Sequence, residues 1–388
     1  MKRSTDRILT THAGSLPRPD ELLAAYRERP ADAATAARLS SAVAEVVRRQ
    51  VAVGLDVVND GEFGKPMLEA VDYGAWATYA YGRMSGFEQR ELSNPAAILK
   101  DIMGDSRDRK DFAAFYESQG ALVERRGPPR ISVNVGPIEY TGQALIQRDI
   151  YNFNAALAAT RPADAFMSSV FTGVQFGSSE YYRSNEEQAV ACAEAMRQEY
   201  RAIVDAGLNV QIDDPILVNV YEFRYSDKRD VAGFRKWADE HVALVNHALE
   251  GIPEERVRYH LCWGSWHGPH SADLPLHDVI DLLVKVKASQ YSFEAANPQH
   301  EHEWKVWNEV KLPPGRALIP GVVTHKTTIL EHAETVCDRI VRYANIVGRE
   351  NVIAGTDCGM GGRIHPQVAW AKLQALAEGA ALATRQLW

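Results

Sequence analysis

Tyr259-His260-Leu261-Cys262-Trp263-Gly264 follows Arg256-Val257-Arg258 and reads as a strand running into a turn. Successive side chains on a strand point to opposite faces, so residues two apart share one. His260 and Cys262 therefore project the same way, and an imidazole beside a thiol suits a borderline-soft cation such as zinc. Alone, His-x-Cys fits equally well a buried histidine beside a packed cysteine. Two further stretches shift the balance. Gly355-Thr356-Asp357-Cys358-Gly359 puts a second thiol at a strand end, and Ser292-Phe293-Glu294-Ala295 puts a carboxylate at another. His260, Cys262, Glu294 and Cys358 would fill a tetrahedral zinc site. Glu301, His302 and Glu303 compete with Glu294 but fall in a run that reads as a solvated helix.

On both sides of this stretch, short apolar runs alternate with helical spacing. Strands are expected at residues 7–12, 55–62, 130–137, 209–215, 257–262, 290–295, 317–323 and 351–355. Helices are expected at 38–53, 185–206, 231–249, 276–286 and 333–347, with a last one through 370–385. Gly54, Gly207 and Gly348 stand at helix ends, where a left-handed residue is favoured. Residues 73–126 and 138–180 are irregular and read as insertions, with Ala165-Phe166-Met167 a short strand outside the main sheet. The alternation predicts an α/β fold, a (β/α)8 TIM barrel with insertions after strands two and three, formed by residues 1–388 as a single domain.

Chemistry in such barrels sits at the C-terminal ends of the strands. Ser15, Glu62, Asp213, His260, Cys262, Glu294, His325 and Cys358 all fall at those ends. In Gln211-Ile212-Asp213-Asp214-Pro215, Asp213 shares a face with Gln211 and is expected to point inward, while Asp214 suits a helix cap. Glu62 in Asp60-Gly61-Glu62 reads as a second functional acid, with a cap as its alternative. His325 in Thr324-His325-Lys326 is either a general acid or a surface histidine on a loop. His12 ends strand one and is expected to line the pocket. His267 and His270 read as residues of the loop beyond the metal strand.

Composition narrows the classes. Hydrophobic residues make up 46% of 388, enough for a sizeable core. The net charge of -8 is dispersed without a basic patch, which argues against nucleic acid and anionic membranes. No apolar run of about 18 residues and no signal sequence are visible, so a cytoplasmic location is expected. Four cysteines in so long a chain make no disulfide framework. Cys192 and Cys337 lie in helical patterns and read as buried small hydrophobes.

His12-Ala13-Gly14-Ser15-Leu16-Pro17-Arg18, Asp60-Gly61-Glu62, Gln211-Ile212-Asp213-Asp214-Pro215, His260-Leu261-Cys262, Glu294, the stretch 321–325 and Asp357-Cys358-Gly359 together resemble the catalytic barrel of cobalamin-independent methionine synthases. The resemblance runs almost end to end. It implies zinc ligands at His260, Cys262, Glu294 and Cys358, contacts to a thiol amino acid at Ser15, Glu62 and Asp213, and a proton donor at His325. It further implies a small-molecule thiol and an alkyl donor as reactants, with homocysteine and a methyl-folate as the leading pair. The large N-terminal half of the long-form synthases is not in this sequence, as in a short, core-type member. The family's Asp-Glu-Pro is Asp213-Asp214-Pro215 here, and Ala295-Ala296-Asn297 replaces the Ser-Arg that often follows the glutamate. The Cys262–Trp266 and Glu294–Pro298 segments are also similar to epoxyalkane:coenzyme M transferases, which alkylate a different thiol. The only macromolecular partner left open is a second copy of the chain, in a homo-oligomer.

Overall fold

A computed structural model describes residues 1–29, 32–65, 79–91, 104, 106–120, 130–171 and 179–388. Eight parallel strands form one sheet: β1 (Leu9–Thr10), β2 (Val57–Val58), β3 (Asp164–Val170), β4 (Asn209–Asp214), β5 (Val257–Leu261), β6 (Gln290–Phe293), β7 (Ala317–Val323) and β8 (Ile353–Thr356). The order β1-β8-β7-β6-β5-β4-β3-β2 returns the last strand to the first. The seam between β1 and β2 is tied by the Asp56 N–H to the Thr10 carbonyl at 3.1 Å and by the Thr11 hydroxyl to the Val57 carbonyl at 3.0 Å. The result is a nearly closed (β/α)8 barrel with helices outside it.

The strands are buried on both faces, as parallel strands covered by helices must be. The helices close the layer through apolar stripes. Ala333–Val347 buries Val336, Cys337 and Ile340, and Pro366–Leu387, which packs against it, buries Leu373, Leu376 and Ala380. Cys192 is fully buried in the helix Asn185–Asp205.

Strand three is Asp164–Val170, which corrects the sequence expectation. Arg130–Asn134 pairs antiparallel with Phe87–Glu91 in a separate two-stranded ribbon. Its Ile131 and Val133 are half-buried there, unlike the fully buried strands of the barrel. Asp164–Val170 carries Ser168 and Ser169 in its middle, which hides its strand character from an apolar count. Both hydroxyls are satisfied inside, Ser169 by Glu199 at 2.8 Å and Ser168 by Gln211 at 3.4 Å. The stretch 138–180 is accordingly regular over much of its length, with a helix at Gln143–Thr160 before β3. Nearly half of 73–126 lies outside the described residues. Its described parts include the short helices Arg107–Asp111 and Ala113–Gly120. The expected helix at 276–286 is instead a 3-10 turn, Leu276–Asp278, and one α-turn, Ile280–Leu283.

Candidate active site

Adjacent strands set the centre. In β5, His260 lies opposite Asp213 of β4 on one side and Ser292 of β6 on the other. Cys262 follows two residues on, and Cys358 arrives just beyond β8. One ligand atom from each of His260, Cys262 and Cys358 lies within 4.8 Å of the others. The two sulfurs are 3.5 Å apart and reduced. The Ser292 hydroxyl meets His260 Nδ1 at 3.0 Å, which turns the buried Nε2 inward, where it has no hydrogen-bond partner. The Gly264 N–H donates to Cys262 Sγ at 3.3 Å and the Ser265 hydroxyl to Cys358 Sγ at 3.1 Å. The hydrogen bond from Cys262 pulls the Cys358 thiol well below its usual range and pushes that of Cys262 up. An orphaned imidazole nitrogen beside two sulfurs, that of Cys358 with thiolate character, fits a borderline-soft cation.

Glu294 stands apart from this trio. Its Oε1 accepts the Trp263 N–H at 3.1 Å, its Oε2 accepts from Asn297 Nδ2 at 2.9 Å, and Lys326 Nζ lies 4.0 Å away. Burial raises its pKa to about 7. Of its expected competitors, Glu303 is buried rather than solvated, accepting the Leu276 N–H at 2.7 Å and pairing with His300 Nδ1 at 2.8 Å.

The acidic side is built by β1, β2 and β4. Asp213 takes a hydrogen bond from Gln211 Nε2 at 2.6 Å. Burial, and then the charge of Glu62, raises its pKa to about 7. Asp214 faces the other way. It accepts the Ile216 and Leu217 N–H groups at 2.9 and 3.0 Å and bonds to His241 at 2.6 Å and the Tyr259 hydroxyl at 2.7 Å. Glu62 has a left-handed backbone, φ 61°, which strains a non-glycine residue. Asp60 holds its N–H at 2.9 Å and Arg18 its carbonyl at 2.5 Å. A side chain at Gly14, φ +139°, would collide with the Glu62 carboxylate.

Ser15 is partly exposed, and its carbonyl accepts the N–H groups of Met360 and Gly361 at 2.8 and 3.0 Å, which joins it to the Cys358 loop. His12 does not serve as a polar lining group. Its Nε2 is taken by Gln50 at 2.8 Å and its Nδ1 by the Gly14 N–H at 3.2 Å. Burial lowers its pKa to about 3, so it is neutral.

His325 is buried, which removes the surface-loop alternative, and neither ring nitrogen has a hydrogen-bond partner. Burial lowers its pKa to about 3, against the opposing pull of the nearby Cys358 sulfur. Its neighbour Lys326 donates to the Gly264 carbonyl at 2.6 Å and contacts His270 Nε2 at 2.8 Å. His270 is further held by Asp273 at 2.9 Å and stacks on Trp266. The helix Arg107–Asp111 docks on the same loop through Asp108, which accepts the Ser271 N–H at 2.9 Å and the Tyr116 hydroxyl at 2.6 Å. Sequence reasoning passed over Ser265, Ser292, Lys65 and Asn297. Of these, Ser292 and Lys65 carried a signal, since Ser292 lies two residues before Glu294 on one strand and Lys65 three residues after Glu62.

The fold is like that of a B12-independent methionine synthase from Shewanella sp. in complex with selenomethionine, with a TM-score of 0.71 at 19% identity over 98% of this chain and 99% of that one. A vitamin-B12 independent methionine synthase structure from Listeria monocytogenes gives 0.60 at 17% identity, with the same coverage. In sequence, 2-hydroxypropyl-CoM lyase of Xanthobacter autotrophicus is 24% identical over 93% of this chain and 89% of its own length. Methionine synthase of Sulfolobus acidocaldarius is 25% identical over 97% and 93%. The profile described as "Cobalamin-independent synthase, Catalytic domain" matches residues 155–381, and the chain belongs to that family.

Proposed function

We propose that this protein is a zinc-dependent thiol alkyltransferase that transfers a methyl group from a folate-type donor to homocysteine. The observation that carries this reading is the trio His260, Cys262 and Cys358, with its unpartnered imidazole nitrogen, where Asp213, the acid that feels the charge of Glu62, lies beside His260 on the next strand. His260, Cys262 and Cys358 would hold the ion, with Glu294 as the fourth ligand. When bound, zinc would act as a Lewis acid that lowers the pKa of the acceptor thiol.

The residues around it divide the remaining work. Glu62 and Asp213 take the ammonium group of the acceptor, and Ser15 its polar end. This placement orients the sulfur before reaction and favours an amino thiol over thiols without an amine. His325 is neutral on substrate binding, so the proton it delivers must first be taken up. The acceptor thiol has one to give. The sulfur loses its proton, the carbon–sulfur bond forms, the carbon–nitrogen bond of the donor breaks, and His325 passes the proton to the leaving nitrogen.

A second reading is supported by the similarity to 2-hydroxypropyl-CoM lyase over 93% of the chain. In it the sulfur opens an epoxide and His325 protonates the alkoxide. The deciding experiment offers homocysteine and 2-mercaptoethanesulfonate to the zinc-loaded protein, with methyl-folate and epoxide donors, and reads products by mass spectrometry. S-methylation of homocysteine is expected. Exclusive alkylation of the sulfonate thiol by epoxides would replace the first reading with the second, and no alkylation of either thiol would end both.

A further inference from the structure

Beside the acidic pair stands a lysine that neither reading uses. The Lys65 N–H closes a turn onto the Glu62 carbonyl at 3.1 Å, so ammonium and carboxylate leave the same tight turn. Lys65 Nζ donates to the Ser168 carbonyl of β3 at 2.7 Å and sits over the Tyr79 ring, 4.7 Å from its centroid. The Tyr79 hydroxyl meets the Ser169 hydroxyl at 3.0 Å and also bonds to the buried Glu199. The ammonium is thereby pinned from below by a strand carbonyl and from the side by a ring that is itself fixed.

Four carboxylates feel this charge: Asp60, Glu62, Glu199 and Asp213. Glu199 is already paired with Arg83 at 2.9 Å. Asp60 is buried and accepts the Glu62 N–H. Glu62 and Asp213 are the two with partial exposure. Among the described residues, the ion pair made by the Glu62 carboxylate is the one to Lys65, at 3.8 Å. That distance is too long for a hydrogen bond, so it orients the carboxylate without saturating it.

We propose that Lys65 is a positioning residue for the acceptor: anchored on Ser168 and Tyr79, it holds the Glu62 carboxylate in the mouth, where with Asp213 it receives the ammonium group of an amino thiol. This rests on the thiol-acceptor reading above. The lysine never touches the reacting atoms, so its loss acts on acceptor affinity and leaves the chemical step alone.

The test measures kcat and KM on zinc-loaded wild type, Lys65→Met and Lys65→Arg, with homocysteine and with 2-mercaptoethanol, which lacks an amine. Lys65→Met should raise the KM for homocysteine roughly tenfold or more, the scale of one contact to a charged group, with kcat nearly unchanged. The KM for 2-mercaptoethanol should stay the same, and Lys65→Arg should restore most of the homocysteine affinity. An unchanged homocysteine KM in Lys65→Met, or equal losses for both thiols, overturns this inference alone. Wild-type protein that alkylates neither thiol overturns the acceptor reading and this inference with it.

Discussion

The Ser265 hydroxyl donates to the Cys358 sulfur across 3.1 Å, so the loop after β5 reaches a sulfur delivered by β8. A hydrogen bond to a thiolate fixes its direction and spreads its charge. Partners of this kind commonly change metal affinity by about 10–100-fold. Ser265→Ala should therefore bind zinc more weakly, by roughly tenfold or more, in competition with a chromophoric chelator. Cys262→Ser and Cys358→Ser should lose stoichiometric zinc in elemental analysis. Full zinc in both cysteine variants would remove the metal assignment, and unchanged affinity in Ser265→Ala would reduce its hydroxyl to a bystander.

His325 carries the second prediction. Both of its ring nitrogens are buried and unpartnered, so no structural bond is lost in His325→Asn. Turnover should fall by roughly a hundredfold or more, the scale of a lost general acid, with zinc content intact. A sulfonium donor, whose leaving group needs no proton, should suffer far less. Equal rates for wild type and variant with both donors would send the search for the proton carrier elsewhere.

The third concerns pH. Burial and the neighbouring Glu62 raise the Asp213 pKa to about 7. Below that value the carboxyl is protonated and neutral, and above it the carboxylate can receive an ammonium group. Affinity for homocysteine, relative to a thiol without an amine, should rise as pH climbs towards 7 and level off above it. Asp213→Asn should flatten the curve. A ratio that is flat with pH in the wild type would separate Asp213 from the amine.

The fourth is a stability test away from the chemistry. Arg83 is buried between Glu199 at 2.9 Å and Asp149 at 2.7 Å, and Glu199 also accepts from Tyr140 at 2.5 Å and Ser169 at 2.8 Å. Arg83→Met would leave two buried carboxylates short of their shared cation, a loss on the scale of about 3–5 kcal/mol. Urea unfolding at neutral pH should show an unfolding free energy lower by that amount, read from midpoint and slope together. A shift near zero would mean that water reaches the carboxylates.

The barrel was legible because short apolar runs alternate with helical spacing along the chain, and His260, Cys262 and Cys358 could be placed together from i, i+2 spacing and strand order. Strand three was not legible. The serines in Asp164–Val170 are stabilised by Gln211 and Glu199, partners that only the folded chain brings near. Ribbon strand Arg130–Asn134 carries Ile131 and Val133 at strand spacing and so reads as a strand, yet its partner is Phe87–Glu91 and not the barrel. The ring partners of His12 were hidden for a similar reason. A strand-end histidine looks available until Gln50, 38 residues on, occupies its ring. Glu294 was read from its position after β6, and nothing in the sequence announced that Trp263 and Asn297 would hold its oxygens.

The separation of the two sulfurs along the chain has a consequence for synthesis. Cys262 and Cys358 are 96 residues apart, and β8, which brings the second, pairs with both β1 and β7. At about 5–20 residues per second, a ribosome exposes His260 and Cys262 as half a site for roughly 5–20 s before Cys358 is made. Even once Glu294 has followed, a nascent chain offers at most three of the four proposed donors during that interval. If the protein takes zinc as proposed, firm loading would follow the pairing of β8 with its neighbours and make metal capture one of the last events in its maturation.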